Sequence, residues 1–320
     1  MDCGRLCRDR EFEVGYIVGN GFRTSLLFGW WNTSLAPLAK YRSNEAEKAF
    51  AMDIIQRLMN GYEVDCLALG EITADLLQDC LSASGLTDYS AFDCTAISGR
   101  LRFDVGVIFR TSRLKILDQS TITSAYGDSA IKIAQRLTVE LPKGERPLYL
   151  FVVHWPSRLW CPENGAKRNS LGICLRMAVE SVLVSAERPP PVVILGDFND
   201  DPFNASLAGH LLATRDRSKA QTSASYFYNP FWRFLGESDP HKPRIACDSI
   251  CGTYLQQHGG DETRWRTFDQ IIVSSGLLTS DEWQLNEQDT TIVRIPELIE
   301  AVKSKQQRFD HLPVVARIEM

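Results

Sequence analysis

The chain has 320 residues, with 35 lysines and arginines against 40 aspartates and glutamates, so its formal net charge is −5. Hydrophobic residues make up 44% and charged residues 23%, a globular composition that excludes disordered, collagen-like and coiled-coil proteins. The mild acidity argues against a protein that binds polyanions through a general excess of Lys and Arg. The composition is still compatible with an enzyme that binds a polyanion at one locally basic cleft.

Membrane insertion and export are not indicated by the sequence. The best apolar run, 26–31, is six residues long, far below the length of a membrane span. The first ten residues lack the apolar core of a secretory signal. Nine cysteines, an odd number without a Cys-x-x-Cys pair, are typical of reduced thiols. We therefore predict a cytoplasmic protein without membrane contact.

Short apolar runs bounded by turn-forming residues predict strands at several places along the chain. In chain order these are 25–31, 64–70, 103–110, 147–153, 191–196, 268–273 and 313–318. Helical periodicity predicts helices over 43–59 and 167–186, and a shorter helix over 204–213. Strands that are apolar throughout indicate sheets covered on both faces. Because strands and helices do not alternate strictly, a barrel or Rossmann fold is disfavoured.

These elements predict one large mixed α/β domain over residues 23–320, preceded by an amino-terminal segment, 1–22, of uncertain structure. The chain lacks a Gly-x-x-x-x-Gly-Lys phosphate loop, a Gly-x-Ser-x-Gly elbow and a His-Glu-x-x-His motif. Those absences argue against phosphate-loop nucleotidases, serine hydrolases and zinc peptidases of these types.

Polar residues stand where predicted strands end. Asn32, Glu71, His154 and Asp197 each follow an apolar run, and Asp310-His311 precede the last one. In a layered α/β protein such ends gather at one edge of the sheets. Carboxylate and amide oxygens are preferred ligands of Mg²⁺ and Mn²⁺, and histidines beside the ion can move protons or stabilise a phosphate. Each residue alone has an ordinary structural explanation, but their joint occurrence predicts one site.

Six ordered motifs resemble the endonuclease/exonuclease/phosphatase superfamily, the fold of pancreatic deoxyribonuclease I and the abasic-site endonucleases. The most specific, 194–199, resembles the Gly-Asp-Phe-Asn signature, and 309–314 is similar to the terminal Ser-Asp-His-x-Pro-Val with Phe309 in place of Ser. Residues 153–158 are similar to the histidine motif of the bacterial and deoxyribonuclease-like branches. The segment 267–274 resembles the penultimate strand with its Asp, and 31–32 and 69–71 resemble the first two motifs.

The resemblance implies a four-layer α/β sandwich with two packed mixed β-sheets flanked by helices. It implies a phosphodiester hydrolase that depends on Mg²⁺ or Mn²⁺. The metal would be held by Asn32 and Glu71, with Asp310 as a further ligand. Asp269 would orient His311, and His154 would contact the scissile phosphate. Asp197 and Asn199 would position the attacking water and stabilise the transition state.

The substrate is not named by the resemblance, because the superfamily cleaves DNA, RNA, phosphoinositides, sphingomyelin and nucleotides. Arg158 and Arg168 are candidate phosphate ligands. Alternatively, Arg158 is a solvated loop residue and Arg168 a solvated residue at the start of a helix. Basic residues interleaved with aromatic ones over 215–233, together with 241–244, suit nucleic acid. Tyr228 and Trp232 would stack on bases, unless these aromatic residues belong to the core.

We predict a nuclease that acts on DNA or RNA by in-line attack of an activated water. A phosphatase or small-molecule phosphodiesterase of the same superfamily is the first alternative. A catalytically silent member that uses the fold for binding is the second.

Overall fold

The computed structural model describes residues 24–35, 43–83, 85–98, 101–144, 146–184, 188–236, 250–256, 263–279, 282–304 and 308–320. The predicted segment 1–22 and the basic residues 241–244 lie outside the described residues. Within the described ranges, no helix is both long enough and apolar enough to cross a membrane.

The strands and helices are numbered in chain order. The strands are β1 (Ser25–Asn32), β2 (Cys66–Gly70), β3 (Tyr89–Asp93), β4 (Ala96–Ser98), β5 (Leu101–Phe103), β6 (Val105–Arg110), β7 (Lys115–Tyr126), β8 (Ser129–Glu140), β9 (Leu148–His154), β10 (Val192–Asp197), β11 (Ala213–Thr214), β12 (Phe227–Tyr228), β13 (Tyr254–Leu255), β14 (Trp265–Arg266), β15 (Asp269–Val273), β16 (Gln284–Ile292) and β17 (Val314–Glu319). The helices are α1 (Glu45–Gln56), α2 (Ala74–Ala83), α3 (Ala166–Leu183), α4 (Arg217–Thr222) and α5 (Pro296–Lys303). Two π-helical turns, Arg57–Gly61 and Ala205–Leu211, and two 3₁₀ turns, Pro230–Phe234 and Ser275–Leu277, complete the set.

Two mixed sheets form the centre of the molecule. The first has the strand order β16-β17-β1-β2-β6-β3, and the second has β11-β12-β15-β10-β9-β8-β7. Each sheet has a parallel pair near its centre, β1 with β2 and β9 with β10, flanked by antiparallel neighbours, and the short edge strands β11 and β12 of the second sheet are also parallel. Parallel neighbours require a long crossover connection, which α1 supplies in the first sheet and α3 in the second.

The sheets pack against each other through apolar side chains and carry helices on their other faces. Phe28 of β1 and Leu195 of β10 belong to the same buried cluster, to which α2 contributes Leu77. The opposite face of the second sheet buries Ile194 against Leu175 of α3 in a separate cluster. The molecule is therefore the predicted four-layer α/β sandwich, in which burial of apolar surface is the main stabilising contribution.

The predicted strands correspond to β1, β2, β6, β9, β10, β15 and β17, with ends within two residues. The helices predicted over 43–59 and 167–186 are confirmed as α1 and α3, and the short helix over 204–213 is a π-helical turn. The long antiparallel hairpin of β7 and β8 and the edge strand β16 were not predicted.

Candidate functional site

The central strands of both sheets end at one edge of the sandwich. Asn32 is in register with the last residue of β2, so Glu71 follows directly on the neighbouring strand. In the second sheet Asp197 lies between His154 of β9 and Asp269 of β15. The register thus brings together the polar strand ends that the sequence singled out.

Asp269 and His311 form a buried acid–imidazole pair. His311 Nδ1 lies 2.7 Å from Asp269 Oδ2, and Trp30 Nε1 donates to the other oxygen at 2.7 Å. Because the carboxylate is an acceptor, it fixes the proton on Nδ1 and turns Nε2 toward the site. That Nε2 lies 3.8 Å from oxygens of both Asp197 and Asp310. Burial opposes the charged imidazolium, but the surrounding carboxylates raise the pKa of His311 well above its ordinary value.

A second acid–imidazole pair, Asp104 with His154, was missed by the sequence reasoning. His154 Nδ1 lies 2.9 Å from Asp104 Oδ1, and Lys132 Nζ reaches the same oxygen at 2.9 Å. Burial opposes the charge of Asp104, but His154 and Lys132 lower the pKa of this carboxyl below its ordinary value. His154 Nε2 faces Glu71 at 4.0 Å. The sequence feature that could have indicated Asp104 is the presence of a carboxylate within the otherwise apolar run 103–110.

The loop after β10 holds Asp197 in place. The Asn199 backbone N–H and side-chain Nδ2 donate to the Asp197 carboxylate at 2.7 and 3.1 Å, and Nδ2 also reaches Trp155 O at 3.0 Å. Asn199 has φ 51°, a left-handed conformation that Asn tolerates better than most residues. Gly196 has φ 148°, and a Cβ there would lie 1.8 Å from Val153 O. Only glycine allows this close approach of β9 and β10.

Asn32 links two carboxylates at the site. Its Nδ2 lies 3.2 Å from Glu71 Oε1 and 3.3 Å from Asp197 Oδ2, while its Oδ1 accepts a hydrogen bond from Ser34 N at 3.1 Å. The amide oxygen is therefore engaged with the backbone. In this arrangement Asn32 orients Glu71 and Asp197, and the predicted metal ligation by Asn32 would need its amide to turn over.

The carboxylate oxygens of Glu71 and Asp310 are suited to binding a hard divalent cation. Burial raises the pKa of Glu71 and of Asp310, and the opposing effects of His154 on Glu71 and of His311 on Asp310 do not cancel it, so negative charge here is only partly compensated. Carboxylate oxygens are the ligands that Mg²⁺ and Mn²⁺ prefer. Asp197, Asp269 and His311 also offer ligand atoms within 4.8 Å of one another. Because Asp269 and His311 already bind each other, we regard Glu71 and Asp310 as the better-suited ligands.

Arg168 does not lie where a phosphate could reach it, which corrects one prediction. Its side chain is 0% exposed. The guanidinium donates to three backbone carbonyls, Phe198 O at 3.2 Å and Pro156 O and Cys161 O at 2.7 Å, and lies 3.7 Å from Asp200 Oδ2. Arg168 therefore connects the loop that follows His154 to the loop that follows Asp197.

Arg158 lies beside the site with its guanidinium already engaged. It donates to Asn199 O at 3.0 Å, Glu163 Oε2 at 2.8 Å and Asn204 Oδ1 at 3.0 Å. The guanidinium also lies 4.6 Å from the centre of the Phe268 ring. These contacts support the loop, and a direct role for Arg158 in phosphate binding stays a prediction.

The predicted base-stacking residues are engaged within the protein. Tyr228 is 7% exposed, and its hydroxyl donates to Glu287 Oε2 at 2.9 Å. Its ring belongs to the core, so the prediction that Tyr228 stacks on a base is wrong. Trp232 is half-buried, with Arg215 5.4 Å from its ring centre and Phe203 packed edge-on at 6.5 Å. Stacking of a base on Trp232 stays a prediction.

The comparisons with known proteins agree with this fold. Residues 48–313 match the sequence profile of the Endonuclease/Exonuclease/phosphatase family. No curated protein sequence matches the chain significantly. The catalytic domain of human Nocturnin with bound sulfate anion superposes with a TM-score of 0.58 at 17% identity, covering 92% of this chain and 97% of that one.

Two further solved structures share the fold. TDP2 from D. rerio, complexed with a single strand DNA product, has a TM-score of 0.58 at 18% identity, covering 93% of this chain and 100% of that one. The mannosyl-6-phosphatase Bt3783 from Bacteroides thetaiotaomicron has a TM-score of 0.53 at 14% identity, covering 92% and 99%. At such identities the likeness shows a common architecture and leaves the substrate open.

Proposed function

Because the chain belongs to the endonuclease/exonuclease/phosphatase family, we propose that it is a divalent-metal-dependent phosphodiester hydrolase and that nucleic acid is its substrate. Hydrolysis of phosphoester bonds is the general chemistry of this family. One observation carries the proposal: the pairs Asp269–His311 and Asp104–His154 both point imidazole nitrogens at the carboxylates of one sheet edge.

The proposed mechanism divides the work among the residues of this edge. A Mg²⁺ or Mn²⁺ ion held by Glu71 and Asp310 would stabilise negative charge on the phosphoryl oxygens. Asp197 would hold the attacking water in line and accept its proton. Asn199 donates two hydrogen bonds to Asp197, so it would fix the orientation of that carboxylate.

The two imidazoles would act on the phosphoryl group. His311, kept protonated by the carboxylates around it, would donate from Nε2 to a non-bridging oxygen, where charge grows in the transition state. Asp269 would hold the ring in the tautomer that this requires. His154, oriented by Asp104, would approach the same group from the side of Glu71.

The choice of nucleic acid as substrate has two supports. The D. rerio TDP2 structure, which has this fold, was determined with a single strand DNA product. In addition, Leu159 and Trp160, in the loop that follows His154, are 89% and 82% exposed. An indole this exposed offers a face on which a base can stack, which the buried Tyr228 does not.

A phosphatase acting on monoesters is the second candidate. The Bacteroides thetaiotaomicron mannosyl-6-phosphatase has the same architecture, and the burial of Tyr228 removes one of the contacts expected for a nucleic-acid substrate. A catalytically silent binding protein would not need two oriented imidazoles.

A substrate panel tests the proposal. Single-stranded DNA, duplex DNA, RNA and simple phosphomonoesters are each incubated with Mg²⁺ or Mn²⁺, and again with EDTA. We expect EDTA-sensitive cleavage of at least one nucleic acid, and loss of that cleavage in His311→Ala protein purified identically, which excludes a contaminating nuclease. Cleavage of monoesters alone would favour the phosphatase, and no cleavage at all would favour the silent binding protein.

Trp160 provides a test of the substrate class. If its indole stacks on a base, Trp160→Ala should weaken single-strand binding by about 1–3 kcal/mol while leaving the melting temperature unchanged. The matched control is Met177→Ala, which removes an exposed apolar side chain from α3. Equal affinity of both variants and the wild type would remove this support for a nucleic-acid substrate.

A further inference from the structure

Tyr254 of β13 lies at the candidate site, although no motif marked it. A backbone bridge joins Tyr254 to His311 in antiparallel orientation. On either side of that bridge, Leu255 N donates to Asp310 O at 2.9 Å and Leu312 N donates to Thr253 O at 2.7 Å. The segment that carries the phenol is therefore fixed to the segment that carries Asp310 and His311.

The ring of Tyr254 is held between other rings. Its centre lies 4.8 Å from that of the His311 imidazole. It also stacks on Phe268 with centres 5.0 Å apart and an angle of 14° between the planes. Arg158 in turn lies over Phe268. These contacts leave the ring little rotational freedom, so the direction of its C–O bond is set before any substrate binds.

The hydroxyl of Tyr254 has no hydrogen-bond partner in the described part of the chain. The residue is only partly buried. Other tyrosines differ, since the hydroxyl of Tyr89 donates to Met59 O at 3.0 Å and that of Tyr228 donates to Glu287 at 2.9 Å. Tyr254 thus combines a fixed ring with a donor that the described residues leave unpaired.

A tyrosine hydroxyl is protonated at neutral pH even at its ordinary pKa. Burial, and after it the negative charges of Asp310, Asp197 and Glu71, hold the pKa of Tyr254 above its ordinary value. Those three carboxylates surround the proposed metal and water positions, so the phenol lies close enough to sense the same cleft. At neutral pH it is a donor.

We propose that the Tyr254 hydroxyl donates a hydrogen bond to a non-bridging oxygen of the substrate phosphoryl group, beside His311 Nε2. This assignment rests on the proposed function, because it requires a phosphoester in the cleft. A rigid donor aimed at an oxygen that gains charge stabilises the transition state more than the ground state. Tyr254 would then act as a catalytic residue together with the two histidines.

The test replaces only the hydroxyl. Tyr254→Phe keeps the ring contacts with Phe268 and His311, and Tyr226→Phe, another half-buried tyrosine away from this edge, is the control. The measurements are kcat and KM on the best ester of the panel, the Kd of inorganic phosphate with Mg²⁺ present, and Mn²⁺ affinity without phosphate. We expect Tyr254→Phe to lose about ten- to a hundredfold in kcat/KM, mainly in kcat, as for one charge-assisted hydrogen bond.

Phosphate affinity of Tyr254→Phe should also fall, while Mn²⁺ affinity and the melting temperature stay at the wild-type values. If the variant melts clearly lower, Tyr254→His, which retains an aromatic ring and an N–H donor, takes its place. Tyr254→His should then retain more activity than Tyr254→Phe.

The outcomes separate the two proposals. Unchanged kcat/KM and phosphate affinity in Tyr254→Phe would overturn the role of the hydroxyl and leave the hydrolase intact. A loss of Mn²⁺ affinity that matches the loss of activity would also overturn it, because the phenol would then support the metal. If the wild type cleaves nothing in the panel, the proposed function fails, and the phosphate titration alone decides whether Tyr254 contacts a phosphoryl oxygen.

Discussion

Asp104 and His154 reproduce, on the side of the site nearest Glu71, the contact that Asp269 makes with His311. The two carboxylate–Nδ1 distances are 2.9 and 2.7 Å. The second donor to each carboxylate differs: Lys132 Nζ reaches Asp104, whereas the neutral indole of Trp30 reaches Asp269. Burial opposes the charged form of His154, but Asp104 raises the pKa of His154 above its ordinary value, and the Lys132 cation reduces that rise. The two imidazoles are therefore held alike but are electrostatically different.

Replacement of Asp104 tests the first of these pairs. Asp104→Asn should leave the fold intact but release His154 from its tautomer, with a loss of about two to four orders of magnitude in turnover, as for other acid-oriented histidines. Asp118→Asn, which changes an exposed carboxylate on β7, is the control. A turnover equal to that of the wild type would show that His154 needs no orienting acid.

The same variant should change the acid sensitivity of the fold. The folded state holds the pKa of Asp104 below its unfolded value. The stability that this carboxylate contributes is therefore present above about pH 4 and is lost as the pH falls further. Urea unfolding in EDTA should show a shallower decline of the free energy of unfolding below about pH 4 in Asp104→Asn than in the wild type. A steeper decline would contradict the sign of this shift.

The pairing of Asp269 with His311 predicts strongly non-additive effects. Asp269→Asn should cost up to about four orders of magnitude in turnover, and adding it to His311→Ala should do little further harm, since the two residues act as a unit. Turnover and thermal melts of the wild type, both single variants and the double variant complete the cycle. Strict additivity of the two rate losses would show that the residues act independently.

The metal assignment predicts a defect in binding for Glu71. Glu71→Gln keeps the shape of the side chain but removes a ligand charge, so Mn²⁺ affinity and rate should both fall sharply. Titration calorimetry measures the affinity, with Glu140→Gln at the end of β8 as a control remote from this edge. Unchanged Mn²⁺ binding in Glu71→Gln would exclude this residue as a ligand.

Arg168 should prove structural. Arg168→Met leaves buried Asp200 with Arg158 as its remaining cation, at 3.4 Å, and removes donors from three carbonyls, so the free energy of unfolding should fall by about 3–5 kcal/mol. Arg176→Met, on a more exposed part of α3, should change it far less. If Arg168→Met were as stable as the wild type but bound substrate poorly, the phosphate-binding role would be restored.

The site was predictable from the sequence where chemistry coincides with a strand end. Asp197 and Glu71 follow apolar runs, and parallel pairing places each beside another polar strand end, Asp197 beside His154 and Glu71 beside Asn32. The role of Asp104 was not predicted, because Asp104 occupies the single position between β5 and β6 and its partner His154 lies fifty residues away in the other sheet. Arg168 lies in the first turn of α3, and nothing in the sequence indicates that its side chain is buried, so only the folded chain shows the carbonyls around it.

The missed strands have weak patterns for physical reasons. Most residues of β7 are exposed or half-buried, so its sequence carries little apolar signal. In β16 the run Asn286–Asp289 is polar because this edge strand bulges away from β17 there. Tyr228 was ambiguous because an aromatic ring beside basic residues suits either a core or a surface contact. The hydrogen bond from its hydroxyl to Glu287 shows that Tyr228 is a core residue.

The close approach of Gly196 to Val153 O has a consequence for how the chain can vary. Even alanine would place a carbon inside the contact radius of that carbonyl, so exhaustive mutagenesis of this codon should return glycine alone among well-folded clones. Selection for stability and selection for activity would then act on adjacent codons, the first on Gly196 and the second on Asp197. The pair Gly196-Asp197 is thus expected to be constrained for two independent reasons, one steric and one chemical, which a library screened separately for folding and for turnover would tell apart.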